Sequence, residues 1–348
     1  MPLLSQPGAH RRNFPSIQAL RGIAALVVCW YHFTAYNVAI PQGWVKSSGT
    51  YGYLGVDGFF VISGFIVPYS LFVAEYRLPS FLRFLYKRIV RIDPPYLASI
   101  LLSMAVTAIA RRAPHSGADA PPHYNVVQVV LHLAYLIPFS KHQVWIDSVY
   151  WTLAVEFQYY LALALTFPAL MSTKAAVRRL SLTAALSASL LTNNTQFLPP
   201  FIPLFLLGIA GMQFLCKLTS RREFILYVGA CGLTAMYTAG TKEAYVGLAT
   251  LACILIFRSA PNWLLALGNI SYSLYLIHIP IGIRAESLGR HFISVQMILL
   301  EPVFAVFVSV ACAWVFYQWV EQPAKQWAST INYRRPAASV SGVRQTSG

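Results

Sequence analysis

Carboxylates are scarce in this chain. Its 348 residues hold 11 Asp and Glu against 26 Lys and Arg, and charged residues of every kind make up 11%. Soluble domains carry about 25% charge, so an ordinary soluble domain is excluded. Cysteine is also sparse. The five (Cys29, Cys216, Cys231, Cys253, Cys312) are odd in number, lack C-x-x-C spacing and lie in or beside apolar stretches. They read as small buried hydrophobes, which argues against a disulfide framework. The histidines lack paired ligand spacing, so no metal is expected. No clear internal repeat is present. No cleavable signal peptide is evident, because the first apolar run is too long for an h-region and no small-residue cleavage site follows it.

What is present is apolar. Hydrophobic residues make up 57% and the mean hydropathy is +0.56. The chain therefore reads as an all-α, polytopic membrane bundle of about ten spans: 16–36, 53–74, 94–111, 149–171, 176–192, 198–216, 223–239, 243–257, 262–283 and 296–320. Several fall short of the ~20 residues that a straight crossing prefers. The apolar piece 126–139 is shorter still and contains Pro138, so it reads as re-entrant or interfacial on the outer side. With the N-terminus placed in the cytoplasm, most of the 26 basic residues fall on the inner side, as the positive-inside rule requires. Both termini are then cytoplasmic. The expected organisation is a tail at 1–15, a membrane domain at 16–327 and a polar, disordered cytoplasmic tail at 328–348. The net charge of +15 reads as topology signal and contact with lipid headgroups, not as nucleic-acid binding.

Against that background, ionisable side chains inside spans stand out. His32 lies eleven residues beyond Arg21 in the first span, roughly 16 Å along a helix axis, or about half of a ~30 Å hydrocarbon core. Such a group is expensive there and faces a partner or a water-filled cavity. Histidine also exchanges protons near neutral pH. Asp57 at the outer end of the second span, Glu156 about 10 Å into the fourth and His278 in the ninth fall in the same outer half. Each has a plainer reading: Asp57 as a helix cap, Glu156 as a structural acid bonded toward Trp151 or Tyr160, His278 as a headgroup contact. On the inner side, before Pro94-Pro95, Lys87, Arg88 and Arg91 have helical spacing. With Arg21 they form a clamp suited to a phosphate-bearing ligand, or an ordinary positive-inside anchor.

These pieces occur together in one known family. The chain resembles acyltransferase family 3, the bacterial inner-membrane enzymes that O-acylate polysaccharides and other glycans. The resemblance is carried by Leu20-Arg21-Gly22 with His32-Phe33, by Gly55-Val56-Asp57-Gly58-Phe59-Phe60-Val61-Ile62-Ser63-Gly64-Phe65, and by Arg88-Ile89-Val90-Arg91-Ile92 with Pro95-Tyr96. Trp151-Thr152-Leu153-Ala154-Val155-Glu156, Leu267 through His278 and Glu321-Gln322-Pro323 complete it. Gly58 departs from the larger apolar residue that is usual there. No C-terminal hydrolase-like domain follows, as in the stand-alone members.

The resemblance implies acyl-CoA (acetyl-CoA first) as co-substrate and a hydroxyl on exopolysaccharide, lipopolysaccharide or lipo-oligosaccharide as acceptor. It gives His32 the part of general base or transient acyl carrier, with Glu156, or else Asp57, orienting it. Arg21, Lys87, Arg88 and Arg91 would hold the donor phosphates. Trp151, Ser271, Tyr272 and His278 would face the acceptor. Membrane lipids are the remaining partner, and self-association is left open. The competing reading is a proton-coupled transporter or glycan-lipid flippase that uses His32 and Glu156 as a relay. Such proteins more often show paired broken helices and a repeat.

Overall fold

A computed structural model describes residues 13–112, 124–292 and 299–332. These residues form helices and no strands. The helices are α1 (Pro15–Phe33), α2 (Trp44–Ser48), α3 (Gly55–Val73), α4 (Phe81–Arg112), α5 (Val126–Leu133), α6 (Trp151–Leu170) and α7 (Ala175–Ala188). They continue as α8 (Ile202–Leu215), α9 (Arg221–Thr238), α10 (Thr241–Ile256), α11 (Asn262–Phe292), α12 (Glu301–Phe316) and α13 (Gln322–Thr330). Five segments are long and apolar enough to cross a membrane: Trp44–Val73, Leu78–Ala110, Trp151–Leu170, Asn262–Gly289 and Glu301–Thr330. Pro199–Leu215 is a shorter apolar helix.

Local chemistry sets many of the ends. Pro15 opens α1 at the position where its missing N–H costs nothing. Ser220 and Glu223 close a reciprocal capping box on α9, satisfying two otherwise orphaned donors. Gly240, at φ 131°, turns the chain from α9 into α10 through a conformation that side chains disfavour.

The third expected span begins earlier than its hydropathy suggests. Pro94 and Pro95 do not stop a helix; they lie inside α4, which starts at Phe81. Arg83, Lys87, Arg88 and Arg91 are therefore helical. The two prolines take donors from the carbonyls of Val90 and Arg91. Tertiary hydrogen bonds hold the segment nonetheless. Tyr272 Oη donates to the Ile92 carbonyl (3.0 Å) and Tyr135 Oη to Asp93 Oδ1 (2.8 Å). Two further bounds shift: α11 runs on to Phe292, and α13 runs to Thr330, into the stretch expected as a tail. Most of both expected tails, and the start of the span expected at 296, lie outside the described residues.

Two apolar cores organise the bundle. One gathers buried side chains of α3, α6 and α8 around Phe65, Tyr159 and Phe205. The other joins α1, α6 and α11 around Phe33, Tyr150 and Leu274. Glycine permits the closest helix approaches. A Cβ at Gly208 would lie 2.2 Å from the Val61 carbonyl oxygen of α3, and one at Gly268 would lie 2.0 Å from the Gln18 carbonyl oxygen of α1. At Gly58, by contrast, a Cβ would meet Thr250 Oγ1 at an ordinary 3.4 Å, so its small size leaves no large gap behind Asp57. None of the five cysteines forms a disulfide.

Candidate active site

The close packing of α1 on α11 through Gly268 brings together two histidines 246 positions apart. His32 Nδ1 lies 3.1 Å from His278 Nε2 and 3.0 Å from the Val28 carbonyl. His278 is fully buried. Its Nδ1 faces two backbone carbonyls, of Leu274 (3.1 Å) and Tyr275 (2.9 Å). Carbonyls only accept, so His278 Nδ1 carries the proton, and Nε2 of the neutral ring is an acceptor. The proton between the rings then belongs to His32 Nδ1. This leaves His32 Nε2 with a bare lone pair, the form a general base needs. The rings of Tyr31 and Tyr36 flank His32 at 5.0 and 5.7 Å.

A cavity of about 1350 Å³ lies among α1, α3, α4, α6, α11 and α13. Its wall includes all four basic residues singled out from the sequence, Arg21, Lys87, Arg88 and Arg91, together with Glu156, Ser271 and Tyr272. Arg88 is 7% exposed. Its guanidinium lies over the rings of Phe84 (5.2 Å) and Tyr160 (5.3 Å), and Nη2 donates to Ser70 Oγ (3.2 Å). Lys87 Nζ donates to the Ile331 carbonyl at 2.8 Å. Among the described residues, no carboxylate is within ion-pair distance of Arg21, Arg88 or Arg91. Arg21 and Arg88 are also close enough to Arg91 to repel it.

The cavity does not reach the histidines. Neither His32 nor His278 contributes to its wall, and Tyr275 does. Tyr275 stands one turn before His278, with ring centroids 6.0 Å apart. Its hydroxyl is 2.8 Å from Thr152 Oγ1 and 3.3 Å from the Val149 carbonyl. Tyr275 thus lies between the cavity wall and His278.

Other expected groupings come out differently. Glu156 Oε1 accepts from Ser63 Oγ (2.8 Å) and from Tyr160 Oη (2.5 Å), so its hydrogen bonds go to the cavity side, and His32 is partnered by His278. Asp57 is 4% exposed in the first turn of α3, and the charge acting on it is that of Glu243. Trp151 is outside the cavity wall, packed on Phe201 (5.6 Å) and Phe60 (6.5 Å). Ser271 Oγ donates to the Gly268 carbonyl at 2.8 Å. The residues missed from sequence are Ser63, Thr152 and Tyr275. All three stand within quoted motifs, but nothing local marks their contacts. Among the described residues, no cluster of three metal-ligating side chains occurs.

Comparison with known proteins places the chain in a family. The family described as an acyltransferase domain matches residues 14–318. O-acetyltransferase OatA of Staphylococcus aureus (strain NCTC 8325 / PS 47) is 23% identical over 370 residues, covering 90% of this chain and 58% of that protein. The chain thus spans little more than half the length of this relative. "Putative acetyltransferase ORF330" of Acidianus two-tailed virus is 26% identical over 304 residues, covering 77% of this chain and 84% of its own. No solved structure matches. Because the family model matches residues 14–318, most of the chain, the chain belongs to acyltransferase family 3.

Proposed function

We propose that this protein is a membrane O-acyltransferase. It moves an acyl group, acetyl first, from cytoplasmic acyl-CoA to a hydroxyl of a surface carbohydrate such as exopolysaccharide, lipopolysaccharide or lipo-oligosaccharide. In this reading the ten longer helical segments cross a bacterial inner membrane, and both termini are cytoplasmic. The observation that carries the proposal is that Arg21, Arg88 and Arg91 line one cavity and, among the described residues, have no carboxylate within ion-pair distance. Like charges so close together are costly, and arginine forks fit phosphate oxygens. The donor's phosphates would relieve that repulsion.

The chemistry follows from the tautomers. His32 Nε2 takes the proton of the acceptor hydroxyl as its oxygen attacks the thioester carbonyl. His278 Nε2 accepts the His32 Nδ1 proton throughout and stabilises the imidazolium. The C–S bond then breaks, and the leaving sulfur takes the proton from His32, giving an ester and free CoA. Glu156, with Ser63 and Tyr160, shapes the cavity wall beside the donor. Tyr275 must swing aside for the acyl group to meet the acceptor.

Thiol release from acetyl-CoA by the purified protein, with acceptor glycan present, tests this reading. The native chain should release CoA and His32→Ala should not. Mass spectrometry of surface glycans from cells carrying the native chain, a deletion or His32→Ala should show one ester lost in both mutants. An intact thioester with every acceptor tried would overturn the enzyme reading in favour of transport.

A further inference from the structure

The last long helical segment is broken at one place. After α12 the chain makes a π turn at Tyr317–Glu321 before α13 begins. Such turns insert an extra residue and recur at functional sites. Here the turn delivers Glu321 to the interior at 1% exposure. Its Oε2 accepts from the Ser273 backbone N–H (3.0 Å) and hydroxyl (2.5 Å), and its Oε1 pairs with Lys325 Nζ at 2.6 Å. A buried carboxylate needs a counter-ion, so the pair has a sufficient structural reason to exist.

Three observations go beyond that reason. Lys325 keeps 27% exposure while its partner has 1%, and it forms part of the cavity wall. Its ammonium is paired with Glu321, donates to the Asn269 carbonyl (3.2 Å) and lies over the Tyr317 ring at 4.8 Å. It also stands close enough to Arg21 and Arg91 to be repelled by both, a poor position for a cation whose whole task is to neutralise Glu321.

We propose that Lys325, fixed by Glu321, is a further phosphate-binding residue of the cavity, adding an ammonium to the guanidinium cluster. The proposal rests on reading the cavity as the acyl-CoA site. Holding the flexible lysine against Glu321 removes much of the ordering cost of engaging a ligand. The closing Glu321-Gln322-Pro323 run then matters for donor binding as well as for ending the bundle.

The test separates counter-ion from ligand. Binding of CoA by calorimetry and the thermal midpoint are measured on detergent-purified full-length protein carrying Lys325→Met, Glu321→Gln, both changes, or Lys325→Arg. Lys325→Met should lower the midpoint and weaken CoA binding about tenfold, the order expected for one charge-assisted contact. In the double variant no orphaned carboxylate remains, so the midpoint should recover while CoA binding stays weak. Lys325→Arg should keep most of the affinity. If the double variant recovers CoA binding together with the midpoint, Lys325 is a counter-ion and the proposal falls. A native chain that binds CoA but releases no thiol overturns the reaction alone, and the affinity comparison still decides the role of Lys325. A native chain that binds no CoA overturns both.

Discussion

Replacing His278 by Leu should slow the acyltransferase without abolishing it. In the Ser-His-Asp template, loss of the orienting partner is severe because the catalytic ring takes the wrong tautomer. Here the Val28 carbonyl, 3.0 Å from His32 Nδ1, favours the same tautomer that His278 does. His278→Leu therefore leaves His32 Nε2 unprotonated and correctly aimed. What is lost is one hydrogen bond to a ring that becomes cationic in the transition state, about 1.5–3 kcal/mol. At 1.4 kcal/mol per decade this is roughly a 10- to 150-fold fall in kcat, with KM for acetyl-CoA unchanged because the cavity wall excludes His278. His32→Ala should cost more, because removing a general base costs about 10²–10⁴-fold. The double variant should be no slower than His32→Ala alone, since the two rings act as a unit. His278→Gln, which offers an amide oxygen toward His32, should recover part of the loss. The assay is thiol release under saturating donor and acceptor, with thermal midpoints confirming folding. Native turnover in His278→Leu, or a double variant much slower than His32→Ala, would refute the assignment of the inter-ring proton.

Other outcomes follow from the same geometry. Arg91→Ala should raise KM for acetyl-CoA at least tenfold with a smaller effect on kcat, and added salt should weaken donor binding less in this variant than in the native chain; titrations at two ionic strengths check it. Gly208→Val should lower the thermal midpoint, because overpacking costs about 1–3 kcal/mol or more and a Cβ there already meets the Val61 carbonyl oxygen at 2.2 Å. Asp147, in the loop before α6 and 5% exposed, has its pKa pushed up by burial to about 7, against a smaller opposing hydrogen bond from the Val149 N–H. The folded state therefore holds this proton more tightly than the unfolded chain, so stability falls as pH rises from about 4 to about 7 and then levels off. Asp147→Asn should flatten that slope in midpoints measured from pH 5 to 8.

Hydropathy located the long helices because burial in lipid or in the bundle demands apolar runs whatever the tertiary detail. The same logic misread residues 81–93. Pro94-Pro95 is a local stop signal, and only contacts from Tyr272 and Tyr135, far along the chain, show why the helix continues through it. The four basic residues were legible as a group, since three share a helical stretch and the fourth lies near the inner end of α1. The Glu156–Tyr160 contact was legible as an i,i+4 pair. The histidine pair was not: depth placed both rings in one half of the bundle, but only the approach of α1 to α11 at Gly268 gives them a common proton. Trp151 illustrates the opposite error, an aromatic near the site that serves packing.

Tyr275 carries a consequence for the cell's energy supply. On the proposed orientation, a polar hollow penetrates the membrane from the cytoplasm and faces a histidine pair beyond it. Joined into one wet passage, the two would let protons run down the membrane potential, worth about 2.3 kcal/mol per charge per 100 mV. The Tyr275 ring, moored to Thr152 and the Val149 carbonyl, stands in the cavity wall on the side of that pair. On the proposed function, turning this one side chain would let a small acyl group pass, and holding it in place between turnovers would keep the membrane's voltage.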